Sequence, residues 1–260
     1  MLPGVFKAIK KDKTIYYRSS FTCNNKHISL GSFPSEWEAH TAYMEAVNIM
    51  RSHCHVKDYS PVYAISFEKY VILINLRENG IYFKTPVFLK QTYFYYYFAP
   101  NDYLIFDTDD LFYYSSHKIM RRKGHLFVAD YGMQVNILSR YGIKNHAVAG
   151  RDYVFKNGDF SDFRYENIEV INPYYGVSLF FEEGRELYKA KIHVNGDFSI
   201  GIYSSDVEAA IAYNKAVDVL RKNGSRKNYA TNYIDGISPR KYAEIYSEIK
   251  IPKSIQEYEL

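Results

Sequence analysis

The chain has 260 residues, with 33 Lys and Arg against 29 Asp and Glu, and a composition that is 47% hydrophobic and 24% charged. This balance excludes a disordered chain, and the length allows two or three small domains. An apolar run of 18 residues, an apolar N-terminal signal core and more than two cysteines are all missing from the sequence, which predicts an intracellular protein, cytoplasmic or, in a eukaryotic host, nuclear.

Aromatic residues are unusually frequent, at 18%, with 28 Tyr and 17 Phe. Tyrosine combines a large packing area with a polar tip, so one interpretation is a set of binding faces on which bases stack. The other is an AT-rich genome, whose codons enrich tyrosine without any functional cause. Composition leaves both interpretations open, and the net charge of +4 permits an acidic partner without requiring one.

The first predicted elements are three strands and a helix. Residues 4–10, 14–22 and 26–33 are rich in β-branched and aromatic types and are separated by short polar clusters. From residue 35 to 50 the apolar residues recur at spacings of three and four, which is typical of an amphipathic helix. Ser35 is a suitable N-cap, and Glu38 stands three residues later, as in a capping box.

Residues 61–118 are predicted to be mainly strands, because they contain apolar runs at 70–74 and 93–98. A basic run, Arg121, Arg122 and Lys123, follows with His125 close behind. These side chains either contact phosphate or form a solvated hairpin, and the sequence favours neither. His53, Cys54 and His55 are metal-ligand types, but no second pair stands at zinc-finger spacing, so no metal site is predicted.

The first module is repeated about 170 positions later. Gly31 matches Gly201, and the match continues along the helix and beyond it: Ala39 with Ala209, Tyr43 with Tyr213, Ala46 with Ala216, Arg51 with Arg221, and Tyr59 with Tyr229. Gly4 matches Gly176 at a slightly longer offset, as expected if the hairpin turns differ. The repeat predicts a second set of three strands and a helix, with Ser205 as its N-cap.

A final helix is predicted from Ser238, which is a suitable N-cap before Pro239 at the first helical position. Tyr242 and Ile245 begin its apolar stripe, and Pro252 is expected to end it.

Both copies of the repeat resemble the apetala-two (ethylene-response-factor) DNA-binding domain. The residues that carry the resemblance are Gly4-Val5, Tyr17, Leu30-Gly31-Ser32-Phe33, Glu38-Ala39, Ala42-Tyr43 and Ala46, with Gly176-Val177, Tyr188, Ile200-Gly201, Glu208-Ala209, Ala212-Tyr213 and Ala216 in the second copy. The resemblance covers about 50 residues per copy. It implies a three-stranded antiparallel sheet, backed by a helix, that lies in the major groove of double-stranded DNA.

The resemblance also implies which side chains contact DNA. They are Lys7, Lys10, Tyr17, Arg18, Ser20, Lys26 and His27 in the first copy, and Ser178, Arg185, Lys189, Lys191, His193 and Ser199 in the second. Lys189, Lys191 and His193 alternate along one predicted strand, so they are expected to share one basic face. The alternative is that all of these residues form the ordinary solvated face of a sheet.

The segment before the second copy resembles the C-terminal half of HNH homing-type endonucleases, through Asn157-Gly158-Asp159, Asp162, Arg164 and Glu166-Asn167-Ile168-Glu169-Val170. HNH chemistry needs a histidine base and groups that hold a divalent metal. Aligned on this motif, Phe155 occupies the place of the central histidine, Phe163 that of an asparagine, and Asn136 that of the upstream histidine. The resemblance therefore implies an inactive core with no catalytic residue, metal or cofactor, although His125 or His146 could act as displaced substitutes.

These observations predict an α+β protein: a first module at 1–60, a degenerate HNH-like (ββα) middle domain at 61–172, a second module at 173–235 and a C-terminal helix at 236–260. The expected function is binding of double-stranded DNA by a protein of viral or mobile-element type. A virus-encoded interaction protein that blocks a host defence nuclease, or binds another host protein or nucleoprotein complex, is the first alternative. A divergent HNH endonuclease is the second.

Overall fold

The three strand-like runs at the start of the chain form one antiparallel sheet. In the computed structural model, which describes residues 1–258, the strands are β1 (Val5–Ile9), β2 (Ile15–Cys23) and β3 (Lys26–Phe33), in the order β1-β2-β3. Helix α1 (Glu36–Arg51) packs across one face, and the Ser35 side chain accepts a hydrogen bond from the Glu38 amide, as predicted. Ile28 of β3 and Ala42 and Ala46 of α1 are fully buried between sheet and helix.

The next element corrects a prediction. The apolar run at 70–74 is not a strand but the centre of helix α2 (Phe67–Asn79), which begins at an N-cap serine, Ser66, and ends at Gly80 in the left-handed conformation. Every residue from Tyr70 to Leu76 is buried, so the helix has no polar stripe and its sequence lacks the 3.6-residue period that marks an amphipathic helix.

Two further three-stranded antiparallel sheets follow. The first contains β4 (Val87–Leu89), β5 (Tyr93–Ala99) and β6 (Asp102–Asp107), and the second contains β7 (Ile119–Arg122), β8 (His125–Asp130) and β9 (Met133–Asn136). A short helix, α3 (Leu111–Tyr114), lies between them in the chain. Phe94, Phe106 and Tyr114 stack in a buried aromatic core, with ring centroids of Phe106 and Tyr114 4.4 Å apart.

The remaining strands are β10 (Tyr153–Phe155) and β11 (Ile168–Val170), which pair with each other, and β12 (Val177–Glu182), β13 (Arg185–His193) and β14 (Asp197–Tyr203), which form the second module's sheet. Helix α4 (Asp206–Lys222) covers that sheet, and α5 (Pro239–Glu248) and the short α6 (Lys253–Gln256) complete the described chain. Ser205 and Ser238 accept the predicted capping hydrogen bonds. The structure thus confirms the α+β class. The α-helix expected of a ββα motif is not found within residues 153–172, where the only helical element is a single 3-10 turn at Tyr165–Asn167.

The chain divides into two units. Unit 1 contains Met1–Asn136 and Asp159–Asn167, and unit 2 contains Ile137–Gly158 and Ile168–Leu260. Segment 159–167 belongs to unit 1 because its backbone bonds to β6: the Ile105 amide donates to the Ser161 carbonyl, and the Phe163 amide donates to the Ile105 carbonyl. The predicted middle domain is therefore shared between both units. No helix within residues 1–258 has the length and apolar character needed to cross a membrane.

The structure also shows that the repeat is longer than the sequence match suggested. Each module is followed by a second helix that packs on the module helix, α2 on α1 and α5 on α4. Both second helices begin with a capping serine whose hydroxyl accepts from a lysine amide, Ser66 from Lys69 and Ser238 from Lys241. A tyrosine follows each of these lysines. The repeated unit is thus three strands and two helices.

Candidate nucleic-acid interface

The outer face of the second sheet carries a row of basic side chains. In β13, the middle strand, Ala190 and Ile192 point toward α4 and are buried, so the residues that alternate with them point away from the helix. Lys189, Lys191 and His193 therefore share the outer face, as the sequence spacing predicted. Arg185 lies on the same face at the start of the strand, separated from Lys189 by Leu187 and opposite Glu182.

Short polar side chains flank this row. Ser178 of β12 lies opposite Lys189, and Ser199 of β14 lies opposite Lys191, so hydroxyl groups border the two lysines on either side. At one end of the row, the His193 imidazole Nδ1 lies 2.8 Å from the Asp197 carboxylate. This hydrogen bond lowers the pKa of Asp197, so the carboxylate stays charged and offsets part of the positive charge at that end.

The outer face of the first sheet carries Arg18 and His27. Val5, Ser19 and Gly31 are direct neighbours across the three strands, and Val5 and Ser19 are buried on the helix side of the sheet. Arg18 precedes Ser19 in β2 and therefore faces outward. Its guanidinium donates a 2.7 Å hydrogen bond to the Tyr16 hydroxyl and lies 5.5 Å from the Tyr16 ring centre.

Lys10 and His27 also lie on the same outer face. The Lys10 ammonium lies 5.9 Å from the Tyr16 ring centre, beside Arg18. His27 faces outward beside Thr22, with 3.4 Å between the hydroxyl and ring Nδ1.

Three of the residues implied by the resemblance lie on the opposite face. Lys7 and Tyr17 are paired with each other, and Tyr17 is paired with Phe33, which packs into the core beneath α1. The Lys26 ammonium lies 5.3 Å from the ring centre of Tyr82, which packs against the same core. A ligand on the outer face would not meet these three side chains, because consecutive strand residues alternate between faces.

The basic run at 121–123 lies on strand β7 and its hairpin turn. The Arg121 guanidinium forms two hydrogen bonds with the Asp102 carboxylate, at 2.7 and 3.0 Å, and stacks on the Phe98 ring. Arg122 lies 5.6 Å from the Phe127 ring centre, and Lys123 is exposed in the turn. The bidentate ion pair with Asp102 offsets the charge of Arg121, so Arg121 attracts a phosphate more weakly than an unpaired arginine would.

Two of the three positions that the resemblance aligned with HNH catalytic residues, Phe155 and Phe163, lie in the protein interior, whereas the third, Asn136, is half-buried at the end of β9. Phe155, in unit 2, is 9% exposed and packs against Tyr153. Phe163, in unit 1, is 4% exposed, and its ring centre lies 5.5 Å from that of Phe106. A phenyl ring can neither accept a proton nor bind a metal ion. His125 and His146 are both exposed, at the start of β8 and in the loop before β10.

The acidic residues of the same motif are engaged in local hydrogen bonds. Asp159 accepts from the Ser161 amide and hydroxyl, at 2.8 and 2.7 Å. Asp162 is 1% exposed and accepts from Arg164 at 2.9 and 2.6 Å. Within residues 1–258, no group of three or more His, Cys, Asp and Glu side chains is arranged to hold a metal ion.

Cys54 has a polarised thiol beside an arginine. Its Sγ lies 3.1 Å from the Ser52 hydroxyl and 3.2 Å from the Arg77 guanidinium. Burial by itself would raise the pKa of the thiol, but the hydrogen bonds from Ser52, Tyr70 and Arg77 and the charge of Arg77 outweigh it and lower the pKa of Cys54.

We therefore expect Cys54 to be alkylated by iodoacetamide at lower pH than an ordinary cysteine. In a Cys23→Ser background, the pH midpoint of alkylation should lie below that of a cysteine in an unstructured peptide measured under the same conditions. Arg77→Met should slow the reaction at pH 7 by about threefold or more, because the cation that favours the thiolate is lost. An unchanged rate in a folded Arg77→Met variant, verified by circular dichroism, would contradict this account.

Tyr16 and Phe6 were not predicted as interface residues, although both face outward on the first sheet with Arg18. Tyr16 stands two residues before Arg18 on the same strand, so the strand alternation that placed Lys189 and Lys191 on one face would also have predicted that Tyr16 faces outward. Phe6 is paired with Arg18 across the sheet and shares its face.

Neither the family models nor the curated proteins nor the solved structures include a match to this chain. Its function is therefore inferred from the chemistry of its two sheet faces.

Proposed function

We propose that this protein binds double-stranded DNA through the outer face of β12–β14 and does not cut it. The observation that carries the proposal is the row formed by Arg185, Lys189, Lys191 and His193 on the middle strand of a sheet whose other face is sealed by α4. Such a sheet can lie against DNA without exposing its core.

The row suits a phosphate backbone. Lys189 and Lys191 are alternate residues of one strand, about 6.8 Å apart, so their charges are spaced along β13 rather than clustered. A sheet of two or three strands fits the major groove, and lysines at its surface release counterions when they approach phosphates. Ser178 and Ser199 supply hydroxyl groups beside the lysines, and serine hydroxyls are common partners of phosphate oxygens.

The absence of cleavage is supported by Phe155 and Phe163. Both occupy positions where the resembling nucleases carry a histidine and an asparagine, and both are buried against other aromatic rings. Phe155 and Phe163 thus contribute to the protein interior. Asp159 and Asp162 of the same segment accept hydrogen bonds from residues two positions later in the chain.

The test is a salt titration of binding to mixed DNA duplexes, with Mg²⁺ present and the DNA examined afterwards for nicks. Wild-type protein should bind, with affinity falling steeply as salt rises, and leave the DNA intact. Lys189→Ala/Lys191→Ala should bind about tenfold more weakly at 0.1 M salt, and the slope of log affinity against log salt should fall by about two, because two phosphate contacts are lost.

The matched control is Arg240→Ala/Lys241→Ala, which removes the same charge from exposed positions of α5, outside the sheet. It should leave the salt slope unchanged. An equal loss in both variants would mean that only net charge matters and would contradict a specific role for the sheet. No binding by wild-type protein at low salt would refute the proposal and favour the protein-partner alternative.

A further inference from the structure

The outer face of the first sheet differs in chemistry from that of the second. Phe6 of β1 lies directly opposite Arg18 of β2, and its side chain is 54% exposed. Among residues 1–258, no other aromatic ring or cation stacks on the Phe6 ring. A large apolar ring thus stands free on a sheet face, beside a guanidinium that the Tyr16 hydroxyl holds in place.

This face is also free of acidic side chains. Its outward positions carry only aromatic, hydroxyl, alanine and basic residues: Phe6, Ala8, Tyr16, Arg18, Ser20, Thr22, His27, Ser29 and Ser32. Lys10 extends the cationic side beyond the end of β1, where its ammonium lies near Tyr16. The carboxylate closest to these strands in sequence is that of Asp12, which lies in the hairpin turn between β1 and β2 and is flanked by Lys11 and Lys13. The face is therefore suited to an anionic ligand with flat aromatic groups.

The second sheet provides an internal comparison. Because Gly4 and Gly176 are equivalent, the position of Phe6 corresponds to Ser178, which lies opposite Lys189 just as Phe6 lies opposite Arg18. The second copy thus has a lysine beside a serine, where the first has an arginine, hydrogen-bonded to Tyr16, beside a phenyl ring. An outward aromatic, Phe180, does occur in the second sheet, but it is paired with Leu187 nearer the hairpin.

We propose that the outer face of β1–β3 binds single-stranded nucleic acid, with Phe6 stacking on an unpaired base and Arg18 contacting the phosphate backbone beside it. In an intact duplex the faces of the bases are covered by their neighbours, so a ring on a flat sheet has no base face to contact. In a single strand every base has an available face, and stacking on aromatic side chains is the dominant mode of recognition. This binding does not require the duplex-binding function proposed for the second sheet.

The experiment uses the full-length protein and three labelled probes about 12 nucleotides long, a length within the site sizes of single-strand-binding modules. One is single-stranded DNA of mixed sequence, one is the same sequence as RNA, and one is an abasic strand with the same number of phosphates. Wild-type protein should bind the DNA strand about tenfold or more tightly than the abasic strand, because stacking adds to the charge interaction. The RNA arm shows whether the 2′-hydroxyl is tolerated.

Phe6→Ser, which installs the residue of the second copy, should remove the preference for the strand with bases and leave the salt slope unchanged. Phe6→Tyr should retain the preference, since the ring is kept. Phe112→Ser removes an 86% exposed phenyl ring elsewhere in unit 1 and should have no effect. Ser178→Phe should create or strengthen a preference for bases at the second sheet, which gives a gain-of-function readout that a folding defect could not mimic.

Equal binding of wild-type protein to DNA and abasic strands would overturn the inference, as would a Phe6→Ser variant that keeps the preference while its urea midpoint shows that it is folded. Either result would leave duplex binding by Lys189 and Lys191 standing, because that proposal is measured by the salt slope on duplex DNA. Loss of duplex binding with a retained base preference would refute the duplex-binding proposal for the second sheet and leave the single-strand proposal for the first sheet standing.

Discussion

Gly176→Ala is expected to destabilise unit 2 by about 4 kcal/mol, which would unfold much of the second module in a marginally stable protein. Gly176 has a φ of +70°, a conformation that costs alanine about 1 kcal/mol or more. An added Cβ would also overlap the ring of Tyr213 and the carbonyl oxygen of Lys191. Tyr213 is buried in the core, and the Lys191 carbonyl is part of the sheet, so neither group can move without loss of packing.

The control for this prediction is Gly184→Ala, in the hairpin turn between β12 and β13. Gly184 has a similar φ of +77°, but no atom lies within 4 Å of the position of its added Cβ. It should cost only about 1 kcal/mol, the conformational part of the effect. Urea unfolding measures both. Equal losses would show that backbone conformation alone matters and that the close approach to Tyr213 does not.

The same contact occurs in the first module, where a Cβ on Gly4 would overlap the ring of Tyr43. The glycine and tyrosine pairs were matched in the sequence repeat, and their packing gives the physical reason: only a residue without a side chain lets the tyrosine reach the start of the first strand. Gly4 and Gly176 are thus repeated because the same tyrosine packs on each of them.

Phe163→Asn, which installs the asparagine of the resembling nucleases, is expected to destabilise unit 1 by about 4 kcal/mol without producing cleavage. The substitution removes a buried ring that packs on Phe106 and places a polar amide in the same space. Loss of a buried phenylalanine costs about 3–5 kcal/mol, and an unsatisfied amide adds to that cost. The measurements are urea unfolding and a nicking assay on plasmid DNA with Mg²⁺.

Phe160→Asn is the matched control, because it makes the same chemical change three residues away at a side chain that is 68% exposed. It should change the free energy of unfolding by less than about 0.5 kcal/mol. If Phe163→Asn were instead as stable as the control and nicked DNA in the presence of Mg²⁺, position 163 would be part of a damaged active site rather than of the core.

If the proposals for both sheets hold, the two copies of one module bind different forms of nucleic acid with equivalent faces. The difference lies in a few outward positions, of which Phe6 and Ser178 are the clearest pair. Linking two such modules in one chain would raise affinity for a nucleic acid that offers both a duplex and an unpaired strand within reach of both. A combined variant with Phe6→Ser and Lys189→Ala would show whether the two contributions are independent.

Local sequence patterns predicted the structure correctly where it depends only on residues a few positions apart in the chain. The capping serines at 35, 205 and 238 were identified because a hydroxyl before an amphipathic run bonds to an amide only three residues away. The shared face of Lys189 and Lys191 followed from strand alternation alone. Helix α2 was missed because burial on all sides removes the polar stripe on which helix prediction relies.

The sequence by itself determined the order of the two repeated modules, the three strands and the first helix of each, and which residues alternate on each strand. Only the tertiary structure decided which cations remain available and which aromatic residues are buried. Arg121 is neutralised by Asp102, 19 positions earlier, and Phe163 is buried against Phe106, which is 57 positions away in sequence. Charge neutralisation and burial depend on groups brought together by folding, so periodicity along one strand carries no record of them.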